Sequence, residues 1–179
     1  MSKIQSNSFE PNKTNKKSLL PSVTRYIEQC PDRLFVTLTT KRPLSALEMS
    51  AAVGRLMHRV NRALFGTAYT RRHEVFLATY AVQEETYAQQ LHTHIVVGIP
   101  EGALNLKAFK RYGDPARLII TTWCGLDHGG LPEAQDVRTV TDLNGVIAYT
   151  QKKLWDIDQL DQIDLANTKI PPCSAYCPA

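Results

Sequence analysis

Two histidines one residue apart, His92 and His94 in LHTHIVVGIP, and a tyrosine followed by two lysines, Tyr149 in AYTQKKL, are the residues whose types and spacing could do chemistry. On a β-strand, residues i and i+2 point to one face, so the two imidazoles would project together as a two-pronged metal mount. The plainer alternative is one hydrogen-bonded core histidine and one solvated one. Just upstream lies Gln83-Glu84-Glu85, at the end of a strand whose antiparallel return brings its last residues beside the start of the histidine strand. Glu84 stands eight positions before His92. A carboxylate beside two imidazoles leaves open coordination positions suited to Mg²⁺ or Mn²⁺ carrying phosphate oxygens. Glu85 faces the other way and is the second choice, and a solvated turn carboxylate is the alternative for Glu84.

Tyr149 is read on a helix. At 100° per residue, Leu143, Val146, Ile147, Thr150 and Leu154 share one packing stripe, and Tyr149 lies off it. Lys152 and Lys153 follow at i+3 and i+4 and flank Tyr149 on the helix surface, while Gly145, one turn earlier, leaves it room. A tyrosine between two ammonium groups is biased toward its phenolate, the form that attacks phosphorus. A surface tyrosine beside ordinary solvated lysines is the alternative.

The elements that must position these groups follow from pattern. Residues 33–40, RLFVTLTT, alternate apolar and polar types and read as a strand. Ser45 and Glu48 form an S-x-x-E capping box ahead of a helical stripe of Val53, Leu56, Met57, Val60 and Leu64. Residues 73–84 and 91–99 read as two strands of an antiparallel hairpin joined through the polar TYAQQ. Asp114-Pro115 opens a helix containing Trp123 that Gly125 can close, AQDVRTV is a short strand, and Asp142 can cap the last helix. The order predicts an α+β fold, a central mostly antiparallel sheet of about five strands of ferredoxin-like or RNA-recognition-motif-like kind, with flanking helices.

Composition sets the frame. The 179 residues suit one domain, and the four cysteines (Cys30, Cys124, Cys173, Cys177) are too scattered for a disulfide framework, which points to a reducing compartment and a cytoplasmic setting. The C-x-x-x-C of the tail has no second ligand pair, so no zinc is expected there. No run reaches the ~18–20 apolar residues of a membrane span, and the polar, lysine-containing N-terminus reads as a disordered lead-in rather than a secretion signal. The net charge of +4 is mild, but its basic residues crowd the first two thirds, while Asp156, Asp158, Asp161 and Asp164 make the segment after Trp155 acidic. On the first long helix Arg55, Arg59 and Arg62 fall on one side at i, i+4 and i+7, opposite the apolar stripe, and with Arg71 and Arg72 are candidates for nucleic-acid phosphates; a solvated helix face is the alternative.

The combination of FVTLTT, Glu84 followed by LHTHIVV, a helix with Trp123, and DLNGVIAYTQKKL resembles the HUH endonuclease superfamily over about residues 33–155, specifically the rolling-circle replication initiators of small plasmids and phages. The resemblance implies that His92 and His94 bind the metal, that Tyr149 is the nucleophile and that Lys152 is the lysine of a Y-x-x-K motif, with Lys153 competing for that role. The sequence departs from the family pattern at Thr93, where the residue between the histidines is usually hydrophobic. Positions 145 and 153 are Gly145 and Lys153, so the second tyrosine of two-tyrosine initiators is missing and a single-tyrosine cycle is implied.

That resemblance implies a metal-dependent enzyme that nicks and rejoins single-stranded DNA, or a DNA hairpin at a replication origin, through a 5′-phosphotyrosine. The chain is expected to divide into a disordered polar lead-in (1–20), a nickase domain (21–165) and a C-terminal tail (166–179). No G-x-x-x-x-G-K-[ST] occurs, so a host helicase and polymerase are the expected partners. A single-tyrosine transposase, and a catalytically silent nucleic-acid-binding module of the same fold, are the alternatives.

Overall fold

The structure is a computed structural model and describes residues 13–72, 75–86, 89–103, 107–151 and 162–172. Its elements in chain order are α1 (Lys13–Glu28), β1 (Asp32–Leu38), α2 (Ala46–Arg72), β2 (Ala78–Thr86), β3 (Gln89–Ile99), α3 (Lys107–Tyr112), α4 (Pro115–Cys124), a 3₁₀ turn (Pro132–Ala134), β4 (Asp136–Thr139) and α5 (Leu143–Gln151). The chain is α+β, with one antiparallel sheet in the order β2-β3-β1-β4.

The helix starts are made by the capping residues the sequence offers. Ser45 N–H and Oγ–H both donate to Glu48 Oε2 at 2.9 Å, and Glu48 N–H returns a bond to Ser45 Oγ at 3.3 Å. Those bonds hold the Glu48 carboxyl below its ordinary pKa, with Arg42 adding to the effect. Asp114 accepts from Arg117 N–H at 2.7 Å, and Asp142 accepts from Gly145 N–H at 2.9 Å. Gly125 closes α4 at φ −81°, without a left-handed turn. Gly66, at φ +53°, kinks α2, a backbone conformation that glycine tolerates without strain. A straight helix would set residues eleven apart ~16 Å from each other; across the kink Tyr69 Oη comes to 3.3 Å from His58 Nδ1.

Strand alternation divides the core in two. On one face, Leu34, Val36 and Leu38 of β1, Ala81 of β2 and Ile95, Val97 and Ile99 of β3 pack against Met49, Val53, Leu56 and Val60 of α2 and Leu118, Ile119 and Trp123 of α4. On the other, Ala78, Tyr80, Val82 and Val96 pack against Val23 and Ile27 of α1 and Leu143 and Ile147 of α5.

Four expectations change. The sheet has four strands among the described residues rather than about five. Along the outer edge of β2 runs the segment 162–172, whose backbone pairing is limited to the isolated bridges Thr79↔Lys169 and Val82↔Ile163 and so adds no further strand. β2 begins at Ala78 rather than at residue 73, because the Leu77 N–H donates to the buried Asn61 Oδ1 at 2.8 Å instead of joining the ladder. The lead-in expected through residue 20 is helical from Lys13. Finally, the segment assigned to the tail from residue 166 is pinned to β2: Thr79 Oγ1 donates to the Asn167 carbonyl at 2.6 Å, and Thr168 Oγ1 accepts from Ala81 N–H at 3.1 Å. Lys152, Lys153, Leu154, Asp156, Asp158, Asp161, Cys173 and Cys177 lie outside the described residues. No described helix is long and apolar enough to cross a membrane.

Candidate metal centre and cleft

β2 and β3 build the centre by register. Glu84 pairs with His92 and Val82 with His94, so Glu84, His92 and His94 project from one sheet face. Their ligand atoms all lie within 4.8 Å of one another. Glu84 Oε2 is 3.2 Å from His94 Nε2 and 3.8 Å from His92 Nε2. All three side chains are buried. The register shifts between Glu84 and Thr86, and Glu85 between them is exposed, so the structure gathers Glu84 and leaves Glu85 out of the cluster.

The ring nitrogens facing away from Glu84 are also engaged. His92 Nδ1 lies 3.2 Å from the Gln90 carbonyl and His94 Nδ1 lies 3.1 Å from Thr37 Oγ1. A carbonyl only accepts, so His92 donates from Nδ1 and its neutral ring keeps a lone pair on Nε2. Two imidazole nitrogens and a carboxylate oxygen, converging and braced from behind, fit a divalent ion.

Thr93, the departure between the histidines, points to the opposite face, is fully buried, and donates its hydroxyl to the Val82 carbonyl at 3.2 Å. That bond lets a polar side chain occupy an apolar position.

An open cleft of about 860 Å³ lies over this face, bounded by His92 and His94, the β4 residues Asp136 and Arg138, and Asp142, Gly145 and Tyr149 of the α5 end. Tyr149 is 47% exposed, so its phenol is within reach of a bound molecule. Its ring stands edge-on to His94, with centroids 5.9 Å apart, and to Phe35 at 6.1 Å. Phe35 in turn stacks on His94 at 5.2 Å and 15°. Leu143, Ile147 and Thr150 are buried on the expected stripe. Gly145 has a further use: a Cβ there would collide with the Asp142 carboxylate, so the missing side chain admits the helix cap.

Arg55, Arg59 and Arg62 are exposed on α2, which packs on the sheet face away from the cleft, so the structure does not bring them together with Tyr149. Arg71 is exposed beyond the Gly66 kink, out of line with those three, and the Arg72 side chain lies outside the described set.

Sequence reasoning missed Phe35, Thr37 and Arg138. Period-two alternation puts Phe35 and Thr37 on one face of β1, but only the pairing Thr37↔His94 says which face and which histidine. Arg138 brings a cation to the cleft wall and pairs with Asp136 at 2.7 Å. Both partners are well exposed, so that pair contributes little to stability. No protein-family model matches this chain, and neither a curated protein nor a solved structure matches it significantly.

Proposed function

We propose that this chain is a single-tyrosine DNA nickase of the HUH kind that cuts and rejoins single-stranded DNA and so initiates rolling-circle replication of a plasmid or phage. The observation that carries the reading is the position of Tyr149: half-exposed in the cleft wall, its ring against the ring of a histidine that faces a buried carboxylate. The strand order β2-β3-β1-β4, with helices between β1 and β2 and between β3 and β4, supports the ferredoxin-like sandwich expected for such a domain.

Glu84, His92 and His94 would hold Mg²⁺ or Mn²⁺, which supplies Lewis-acid polarisation of a phosphodiester oxygen. The chain's own residues do the rest. The Tyr149 phenol oxygen forms a bond to phosphorus, the P–O3′ bond breaks, and the phenol proton is balanced by the proton the 3′-oxygen takes from solvent. The products are a 5′-phosphotyrosine and a free 3′-hydroxyl, and attack by another 3′-hydroxyl reverses the step. Lys152 and Lys153, which lie outside the described residues, follow Tyr149 at i+3 and i+4 in sequence and would neutralise charge on the phosphoryl oxygens. An open cleft of about 860 Å³ walled by β4 and α5 favours single-stranded DNA or a hairpin flank over relaxed duplex. Arg55, Arg59 and Arg62, across the sheet, would hold flanking phosphates rather than the strand being cut. A host helicase and polymerase would complete the cycle in the cytoplasm.

The test uses single-stranded and hairpin oligonucleotides tiling the DNA beside the gene, incubated with the protein and Mn²⁺. Wild type is expected to give an adduct that survives denaturing electrophoresis, joined through the DNA 5′-phosphate and lost with EDTA. Tyr149→Phe removes one oxygen and is expected to fold, bind DNA and form no adduct. An undiminished adduct from Tyr149→Phe overturns the assignment, and metal binding without any adduct would favour the silent module.

A further inference from the structure

His92 and His94 are braced from behind by groups of different kind. Behind His92 is the Gln90 carbonyl, 3.2 Å from Nδ1, which can only accept a hydrogen bond. Behind His94 is the Thr37 hydroxyl, 3.1 Å from Nδ1, brought there because Thr37 and His94 are register partners in the β1–β3 ladder. The His94 ring is also stacked flat on Phe35, with ring planes 15° apart. A flat stack confines the ring plane but tolerates a half-turn within it, which would put carbon where each nitrogen had been. The hydroxyl distinguishes the two orientations from behind, as Glu84 does from the front, because after a half-turn each would face a C–H and lose its bond.

We propose that Thr37 is a positioning residue for metal ligation, setting the orientation of His94 so that Nε2, and not a ring carbon, faces Glu84 and the ion. This rests on the reading of Glu84, His92 and His94 as a metal centre. A hydroxyl both donates and accepts by rotating about its C–O bond. With Nε2–H bonded to Glu84 Oε2, Thr37 donates to the bare Nδ1. When Nε2 gives its lone pair to an ion, the ring proton resides on Nδ1 and Thr37 accepts it. One side chain therefore supports His94 in both tautomers, whereas the carbonyl behind His92 supports only the tautomer with the proton on Nδ1. His92 is held ready for metal, and His94 changes over as metal arrives, with no rearrangement of the strand. Groups behind a ligating histidine commonly change metal affinity by 10–100-fold when removed.

The experiment is a Mn²⁺ titration of the full chain, with free Mn²⁺ followed by electron paramagnetic resonance, on wild type, Thr37→Val and Thr37→Ser. Valine keeps the branched shape without the hydroxyl, and serine keeps the hydroxyl without the methyl. Thr37→Val is expected to bind Mn²⁺ about 10–100-fold more weakly, and Thr37→Ser to stay within about threefold of wild type, as a hydrogen-bonding role requires. Far-UV circular dichroism in EDTA checks the fold, and Thr37→Ala, which adds no bulk, replaces the valine variant if that one fails to fold. Mn²⁺ binding by Thr37→Val as tight as wild type overturns the proposal while leaving the metal centre standing. Serine as weak as valine also overturns it, since the role is then packing. A wild type that takes up no Mn²⁺ removes the metal centre itself and the proposal with it.

Discussion

On the face covered by α2 and α4, strand β3 contributes Ile95, Val97 and Ile99 to a continuous apolar layer that includes a wholly buried Trp123. On the other face the same strand contributes Val96 to a smaller apolar cluster under α1 and α5, and then His92 and His94 to the floor of an open cleft. Alternation lets neighbours in sequence serve opposite ends. One face is sealed by helices and the other is sealed only in part, because a cleft opens over the histidines beside Tyr149 of α5. Stability is concentrated on the first face and chemistry on the uncovered part of the second.

Substituting adjacent residues of β3 tests that division most strongly. Ile95→Ala should cost about 2–5 kcal/mol in urea unfolding, since it opens a cavity in the sealed layer. His94→Ala should abolish Mn²⁺ binding and adduct formation at a smaller stability cost. That cost is not zero, because His94 is buried and stacked on Phe35 rather than standing free in an open site. Equal destabilisation by the two would break the comparison.

Gly98 sharpens it, because it shows that the second face is close-packed away from the cleft. A Cβ at Gly98 would lie 2.8 Å from Cys30 Sγ and 3.4 Å from Ala78 Cβ. Gly98→Ala should therefore cost about 1–3 kcal/mol, with much of the loss recovered in combination with Cys30→Ala. Burial also pushes the Cys30 thiol up to about 11, so it should resist alkylation at pH 8 until the protein unfolds, as read by mass spectrometry.

The smallest effect is expected at the start of α2, outside both faces. Ser45→Ala should cost about 1 kcal/mol by thermal or urea unfolding. The carboxyl of Glu48 is depressed in the folded chain, so its contribution is present above the ordinary carboxylate pKa and fades as pH falls through the folded value. Ser45→Ala should narrow the gap to wild type at acid pH, and a gap that widens there would show that the cap works differently.

Local chemistry was legible in the sequence where one segment contained the whole signal. Ser45 with Glu48, Asp114 with Pro115, Asp142 before α5, and the stripe Val53, Leu56, Met57, Val60 and Leu64 all appear as expected. The hairpin placed Glu84 beside His92 because a short connection fixes which strands are neighbours. What stayed hidden depends on pairing between distant segments. Thr37 meets His94 across 57 positions, and Asn61 takes the Leu77 N–H that a propensity reading would have given to a longer strand. The part Gly145 plays in the cap also stayed hidden, because sequence cannot show that an Asp142 carboxylate fills the space a side chain would need.

The segment along β2 has a consequence for how the protein behaves among copies of itself. An exposed strand rim offers unpaired amides and carbonyls to any passing chain. Here Thr79 exchanges backbone bonds with Lys169 at 2.9 and 2.8 Å, and Asp164 N–H donates to the Ala81 carbonyl at 3.0 Å, so that rim is already partly engaged. The opposite rim, β4, is four residues long and carries the charged pair Asp136 and Arg138. Both rims are therefore poor templates for a second sheet, and the fold resists fibrillar assembly even while one of its faces stays open.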